Sequence, residues 1–446
     1  MDNFPEAFEQ RVKNDPFLGK ELLDALNSEP PTSIRINPNK TSEYMPAGNK
    51  IPWCEDALYM EHRPVYTLDP LFHAGAYYPQ EAGSMVLAHV LEQLLLPEHP
   101  FCLDLCAAPG GKSTLIASYL KGNGILVANE INAHRSKILR ENISKWGFTN
   151  SVVTNNKPAD FQTLYHFFDL VLADVPCSGE GMFRKDKKSR NEWSVQNVEM
   201  CTLRQRRIIE EIWQSLKPEG YLIYSTCTLN ASENEENITW IMEELGAEII
   251  EIDLDKEFFN GRNDIGYYAI PGKTNAEGFY FAVLKKKTET SGILKIKTIS
   301  SLQKLSPDEF RIYCHTDGID FFKWKDRVLA LPKNGKEAMF QLMNSLHLIK
   351  LGTTIAISNG KTYVPDQELA NNSPLCAFAD RIELTKAHAL KYLKGETFYL
   401  EGSAGYKLMC YNKIPLGWIK HLGNRFNNLY PKEWRIRMNI DKADEF

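Results

Sequence analysis

The chain has 446 residues, a net charge of −5, 43% hydrophobic residues and 24% charged residues. That length exceeds one ordinary domain, and the composition excludes a disordered, collagen-like or membrane-embedded chain. Mild overall acidity excludes a uniformly basic polyanion binder, so any contact with nucleic acid must come from local basic patches.

The N-terminus, Met-Asp-Asn-Phe-Pro-Glu, has neither the basic nor the apolar region of a secretory signal, and no stretch approaches a membrane span. Nine cysteines, an odd number without zinc-type pairing, point to free thiols, a cytoplasmic location and no metal.

In chain order, Phe8, Val12, Phe17, Leu22, Leu23 and Leu26 recur at loosely helical spacing, and Pro16 splits residues 1–29 into two short helices. Pro30-Pro31 ends the segment. Ser33 to Asn37 reads as a strand, with a second piece from Tyr59 to Tyr66, so residues 1–75 form a small α+β N-terminal module. Residues 73–85 are turn-rich, and a helix from Met85 to Leu96 leads to a strand at Phe101.

From there strands and helices alternate. Strands are expected at 101–106, 124–129, 151–154, 168–173 and 220–226, and helices near 112–121, 133–146 and 196–217. Alternation of this kind predicts a parallel, doubly wound Rossmann-like sheet over residues 76–287. The apolar runs Glu248 to Ile252 and Gly278 to Lys285 add antiparallel edge strands. Lys285-Lys286-Lys287 and the polar Thr-Glu-Thr-Ser-Gly after it mark a boundary. Residues 295–370 carry no chemical motif and are expected to form a small α+β, ferredoxin-like domain. In 375–446, twelve Lys or Arg face eight Asp or Glu, interleaved with aromatics that include Tyr392, Tyr406, Trp418 and Trp434. Stacking on RNA and an aromatic β-barrel core are equally good accounts of those rings.

Three stretches carry chemistry. The first is Cys106-Ala107-Ala108-Pro109-Gly110-Gly111-Lys112, between strand and helix. Its small residues let backbone approach a ligand, and the helix start offers unpaired N–H groups. A phosphate loop would need glycine where Cys106 stands. Glu130 ends the next strand, 20 residues after Gly110, where this fold sets a carboxylate against ribose hydroxyls. An adenosine ligand without phosphates, S-adenosylmethionine, fits that combination. Lys112 points toward the cleft, where it orients Asp174.

The second stretch delivers Asp174, Pro176 and Cys177 to the carboxyl edge of the sheet, followed by Arg184, Lys185, Lys188 and Arg190, a basic run suited to RNA phosphates. The third ends a strand in Thr226-Cys227, ahead of a Ser/Asn/Glu-rich helix start that would stabilise a thiolate. A disulfide or half a metal site is the alternative for two cysteines on neighbouring strand ends. Arg204, Arg206 and Arg207 read as an exposed helix face.

Cys-Ala-Ala-Pro-Gly-Gly-Lys, Asp-Val-Pro-Cys-Ser-Gly-Glu-Gly-Met-Phe-Arg-Lys and Ser-Thr-Cys-Thr-Leu-Asn resemble the Nop/Sun family of RNA cytosine-5 methyltransferases over residues 1–286. Pro415 to Lys420 and Asn428 to Lys432 resemble the PUA-like RNA-binding tail of the RsmF-type bacterial branch, which methylates small-subunit ribosomal RNA; Lys420 and Lys432 are its candidate RNA contacts.

The resemblance implies that Cys227 adds to C6 of a flipped cytosine and that Asp174 holds the N3 and N4 edge. Cys177 then assists loss of the C5 proton and release. It also implies cofactor contacts from residues 106–112, Glu130, Asp174 and the pair Asn155-Asn156, and puts Arg35, Asn37, Tyr78, Gln80 and Glu81 near the site. A monomer acting on RNA, with the ribosomal subunit as a further partner, is expected. The competing readings are use of Cys177 as nucleophile, transfer RNA as substrate, and a non-catalytic ribosome-assembly factor.

Overall fold

The computed structural model describes residues 4–43, 45–287, 302–360 and 362–440. The polar run after Lys287 that was expected to mark a boundary lies outside them.

Parallel strands buried on both faces form the centre. Phe101–Asp104, Ile125–Asn129, Ser151–Thr154, Phe168–Asp174 and Leu216–Thr226 are β-rich and almost wholly buried, as a sheet covered by helices on both sides requires. They stand in the order 216–226, 168–174, 101–104, 125–129, 151–154, and the chain reverses direction across the sheet at 101–104. Phe279–Lys286 and Tyr267–Ala269 extend one edge antiparallel, and Ala247–Ile249 also pairs with Phe279–Lys286. Two apolar clusters, one per face, complete the core.

The other edge is closed by a segment from far along the chain. Leu348–Leu351 pairs antiparallel with Ser151–Thr154, covering an edge that would otherwise expose unpaired backbone. The helix Lys336–Ser345 precedes that strand. The remaining strands of this region, from Gln303–Leu305 to Tyr363–Pro365, form a five-stranded antiparallel sheet in sequence order. This corrects the ferredoxin-like expectation: one strand leaves to serve another sheet, and the meander lacks that fold's interleaved order.

At the N-terminus, Glu6–Asn14 and Glu21–Ala25 are separate helices on either side of Pro16, and Phe8, Val12, Leu18, Leu22 and Leu26 enter the main core. Thr32–Ile36 is a strand between Cys54–Met60 and Tyr77–Pro79, so the second piece expected from Tyr59 to Tyr66 starts earlier, at Cys54, and ends at Met60. The C-terminal module is a four-stranded sheet running Arg381–Glu383, Gly405–Tyr411, Ile414–His421 and Phe426–Asn428. No pairing among the described residues joins its outer strands into a barrel.

Tyr392, Trp418, Phe426 and Tyr430 are core there, while Tyr399 is exposed. That core is shared: Ile34, Leu71 and Tyr77 from the N-terminal module pack with Leu390, Ile419 and Tyr430. The described residues contain no helix long and apolar enough to cross a membrane.

Candidate active site and its family

The turn after Phe101–Asp104 is shaped by small residues. Gly110 has φ +119°, a conformation that favours glycine, and the helix Gly111–Leu120 starts directly behind it, one residue earlier than expected. Arg35 supports this junction from behind. Its guanidinium donates to the Gly111 carbonyl (3.1 Å), Thr114 Oγ1 (2.5 Å) and Gln80 Oε1 (3.1 Å), and lies 4.6 Å from the Trp146 ring. Burial lowers its pKa to about 10. Asn37 caps the carboxyl end of Ala133–Trp146 by donating to the Trp146 carbonyl at 2.9 Å. Both residues therefore brace the site and do not line it.

Asp104, wholly buried at the end of its strand, accepts from Ser113 Oγ at 2.5 Å through Oδ2, while Oδ1 has no partner. Burial pushes its carboxyl up to about 7.

Asp174 ends the neighbouring strand, in register beside Ser225. Lys112 Nζ donates to Asp174 Oδ2 and Ser225 Oγ to Oδ1, both at 2.8 Å. Burial works against the Lys112 charge, but the Asp174 carboxylate outweighs it and moves the ammonium pKa upward. Lys112 thus meets Asp174 directly at the strand ends.

The same register brings the two cysteine turns together. Cys177 lies three residues beyond Asp174 and Cys227 two beyond Ser225. Their sulfurs are 3.1 Å apart, and the Cys227 amide donates to Cys177 Sγ at 3.3 Å. The contact with Cys227, then burial, pushes the Cys177 thiol well above its ordinary range, so Cys177 keeps its proton at neutral pH. All nine cysteines are free. Among the described residues no group of three His, Cys, Asp or Glu could hold a metal.

At the carboxyl edge lies a cavity of about 360 Å³, walled by Cys106, Glu130, Ile131, Lys157, Pro158 and Pro176. Glu130, almost fully buried, accepts from the Asn132 amide at 2.8 Å through Oε1 and stands 3.4 Å from Arg135. The cavity's far wall is the helix Val195–Trp213, through Arg204, Arg207, Ile208 and Glu211. Sequence reasoning gave these arginines only an exposed face. Only the fold of that helix across the strand ends reveals the wall, although arginines at 204 and 207, one turn apart, share a face.

Two sets of predicted residues fall elsewhere. Asn155 and Asn156 do not line the cavity. The Asn155 side chain donates to the Glu130 and Ile131 carbonyls (2.6 and 2.9 Å), and Asn156 is held by Asp160 and the His347 amide, both at 3.0 Å. Lys157 and Pro158 take the wall instead, because the strand ends at Thr154 and the two asparagines close the turn after it.

Arg190 is also not a free RNA contact. It is 3% exposed, donates to the Phe183 and Leu26 carbonyls and to Asn27, and lies over Phe4. Arg184 is held by Glu277 at 3.2 Å and the Ala276 carbonyl at 2.8 Å. Two arginines of a basic run expected to meet RNA phosphates are therefore structural, Arg190 tying the N-terminal segment at Leu26 and Asn27 to the core and Arg184 bracing Glu277. Lys185, Lys188, Lys420 and Lys432 are exposed.

Family models match all three regions. The model for 16S rRNA methyltransferase RsmB/F covers residues 92–285, that for the N-terminal domain of 16S rRNA methyltransferase RsmF covers 4–82, and the methyltransferase RsmF PUA domain covers 379–436. Ribosomal RNA small subunit methyltransferase F of Escherichia coli O127:H6 is 31% identical over 472 residues, spanning 96% of each chain. The chain belongs to the RsmF family of ribosomal RNA methyltransferases.

The Salmonella agona protein of the same name is 30% identical, again over 96% of both chains. Among solved structures, NSun6 from Pyrococcus horikoshii with SFG has a TM-score of 0.55 at 23% identity, covering 65% of this chain and all of that one. That likeness shows the shared fold. As an RsmF-family enzyme the protein uses S-adenosylmethionine, and the residues present fit it. The cavity offers the Glu130 carboxylate opposite Cys106, the first residue of the small-residue turn, and Asp104, two residues before Cys106, keeps an unpartnered buried Oδ1.

Proposed function

We propose that the protein methylates C5 of a cytosine in small-subunit ribosomal RNA through a covalent adduct with Cys227. The observation that carries this reading is a pair of free thiols, 3.1 Å apart, beside the Lys112–Asp174 ion pair. Methylation of an amine or hydroxyl needs no thiol. Cytosine C5 is too weak a carbon nucleophile, and covalent addition at C6 makes it enamine-like.

The Cys227 thiolate adds to C6, and Asp174, fixed by Lys112 and Ser225, holds the N3 and N4 edge as the ring takes up a proton. Residues 106–112, Glu130 and Asp174 would hold S-adenosylmethionine, which would supply an electrophilic methyl group on its sulfonium. C5 would take that methyl group, the new carbon–carbon bond forming as the sulfur–methyl bond breaks and S-adenosylhomocysteine is left. Cys177 assists the last stage, in which the C5 proton is lost to a base. The C6–S electron pair returns to Cys227, and the Cys177 S–H stabilises the departing thiolate.

A base must leave its stack to reach this cleft, so the target is a flipped, unpaired cytosine. Exposed Lys185, Lys188, Lys420 and Lys432 supply phosphate contacts.

Incubation with ribosomal RNA and S-adenosylmethionine, followed by denaturing electrophoresis, tests the assignment. Cys177→Ala is expected to accumulate covalent protein–RNA complex, and Cys227→Ala to bind RNA and form none. Trapped complex in Cys227→Ala would transfer the nucleophile to Cys177. Bisulfite sequencing of ribosomal RNA from a deletion strain should show loss of one methylcytosine; an unchanged map overturns the ribosomal assignment.

A further inference from the structure

Behind the two cysteines lies a buried polar cluster that the chemistry above does not use. Glu233, fully buried at the start of the segment leading to the helix Glu235–Glu244, accepts at both oxygens. Oε2 takes the Ser178 amide at 3.0 Å and Gln205 Nε2 at 2.7 Å, and Oε1 takes Asn230 Nδ2 at 2.8 Å. Gln205 Nε2 also donates to the Pro176 carbonyl at 3.0 Å. One carboxylate thus grips the residue after Cys177, the loop after Cys227, and the helix that walls the cofactor cavity.

We propose that Glu233 is a positioning residue that holds the Cys177 turn against Cys227 and so sets the rate at which the covalent adduct is released. The inference rests on the Cys227 adduct described above. The turn beyond is also pinned, by the Gly181 amide on the Cys227 carbonyl (2.9 Å) and by the Leu229 amide on Glu180 (3.1 Å). Glu233, however, is the carboxylate bonded to the residue next to Cys177, whose hydroxyl meets Thr228 at 2.9 Å ahead of a glycine at φ +76°. Without Glu233, the Ser178 amide becomes an unsatisfied buried donor, Gln205 Nε2 keeps only the Pro176 carbonyl and Asn230 Nδ2 falls back on Thr228 and Glu180, so the turn must shift to find a partner. A displacement of about 1 Å at a reacting group costs on the order of 100-fold in rate.

The donor pattern makes the test specific. Every group facing Glu233 is an N–H, so Glu233→Gln preserves size but sets an NH₂ against a donor whichever way the amide turns. Gln205 cannot relieve this by flipping, because its Oε1 accepts from Tyr224 Oη at 3.1 Å and Asn237 Nδ2 at 2.8 Å. The pair Glu233→Gln/Asn230→Asp exchanges donor for acceptor across the 2.8 Å contact and leaves the amide oxygen facing the Ser178 amide and Gln205. The Ser178 and Thr228 hydroxyls can donate to the new carboxylate, and Arg11 on neighbouring Glu180 offsets its charge.

The experiment compares both variants, Cys177→Ala and the unaltered enzyme. It measures single-turnover methyl transfer, lifetime of the covalent complex, and S-adenosylhomocysteine affinity. Glu233→Gln is expected to lengthen the complex lifetime about 10- to 100-fold. Its cofactor affinity should stay within about twofold, and the double variant should recover at least half of the lost release rate.

Release at the unaltered rate in Glu233→Gln overturns the proposal. So does a loss of cofactor affinity or of thermal stability that the double variant restores without changing complex lifetime. Absence of any covalent complex in Cys177→Ala instead defeats the adduct itself, a separate failure.

Discussion

Replacing Asp104 by asparagine should change how stability depends on pH. Asp104 is fully buried, with one oxygen on Ser113 and the other unpartnered, and burial carries its carboxyl from the ordinary 3.8 to about 7. A carboxyl with a raised folded-state pKa binds more protons folded than unfolded. The stability it contributes is therefore complete below about 3.8 and is lost as pH rises through about 7. At about 1.36 kcal/mol per pH unit, the shift corresponds to an upper bound of roughly 4 kcal/mol.

Asparagine keeps the shape and the Ser113 bond but cannot titrate, so its fixed cost cancels when one pH is compared with another. Urea unfolding of both cofactor-free proteins at pH 5, 6, 7 and 8 measures the difference. The unaltered protein should lose about 2–4 kcal/mol relative to Asp104→Asn between pH 5 and 8, most of it below pH 7. Parallel pH profiles, within about 0.5 kcal/mol, would refute the claim that Asp104 carries a proton in the folded apoprotein.

Arg35→Lys keeps the charge but loses the planar fork that reaches Gly111, Thr114 and Gln80 together. It should cost about 2–4 kcal/mol by denaturant titration and weaken S-adenosylhomocysteine binding in calorimetry. Glu368→Ala leaves buried Lys350 and half-buried Arg140, each 3.3 Å from that carboxylate, without their counter-charge, and should cost about 3–5 kcal/mol, read as a lowered melting temperature. Gly147→Ala sets a Cβ onto the Asn371 carbonyl at φ +85°, so the end of the helix Gln367–Asn371 must move away and the melting temperature should fall. Lys420→Ala/Lys432→Ala should lower the slope of log affinity for RNA against log salt by about 1–2, with cofactor affinity unchanged.

The parallel sheet was legible in sequence because its strands are continuous apolar runs separated by helical periods, a pattern set by local burial. The three chemical stretches were equally legible, since each is contiguous: a turn of small residues, then two strands that each end in a cysteine. Lys112 with Asp174 could be anticipated because one follows the turn and the other ends a strand of the same sheet.

Long-range pairing was not legible. Leu348–Leu351 closes the sheet nearly 200 residues after the strand it joins, and no local pattern distinguishes it from the meander around it. Arg190 read as an RNA contact because it sits in a basic run, yet the N-terminal segment folds over it and supplies the Leu26 carbonyl and the Asn27 side chain as acceptors. Likewise Arg204 and Arg207 reach the cavity only because their helix crosses the strand ends.

By itself, the order of residues determined the sheet and the reactive side chains, because those depend on neighbours a few positions apart. Tertiary structure alone decided which sulfur meets which. The pairing of Asp174 with Ser225 aligns two turns that lie 50 residues apart, and hydrogen-bond register between strands is a property of neither segment alone.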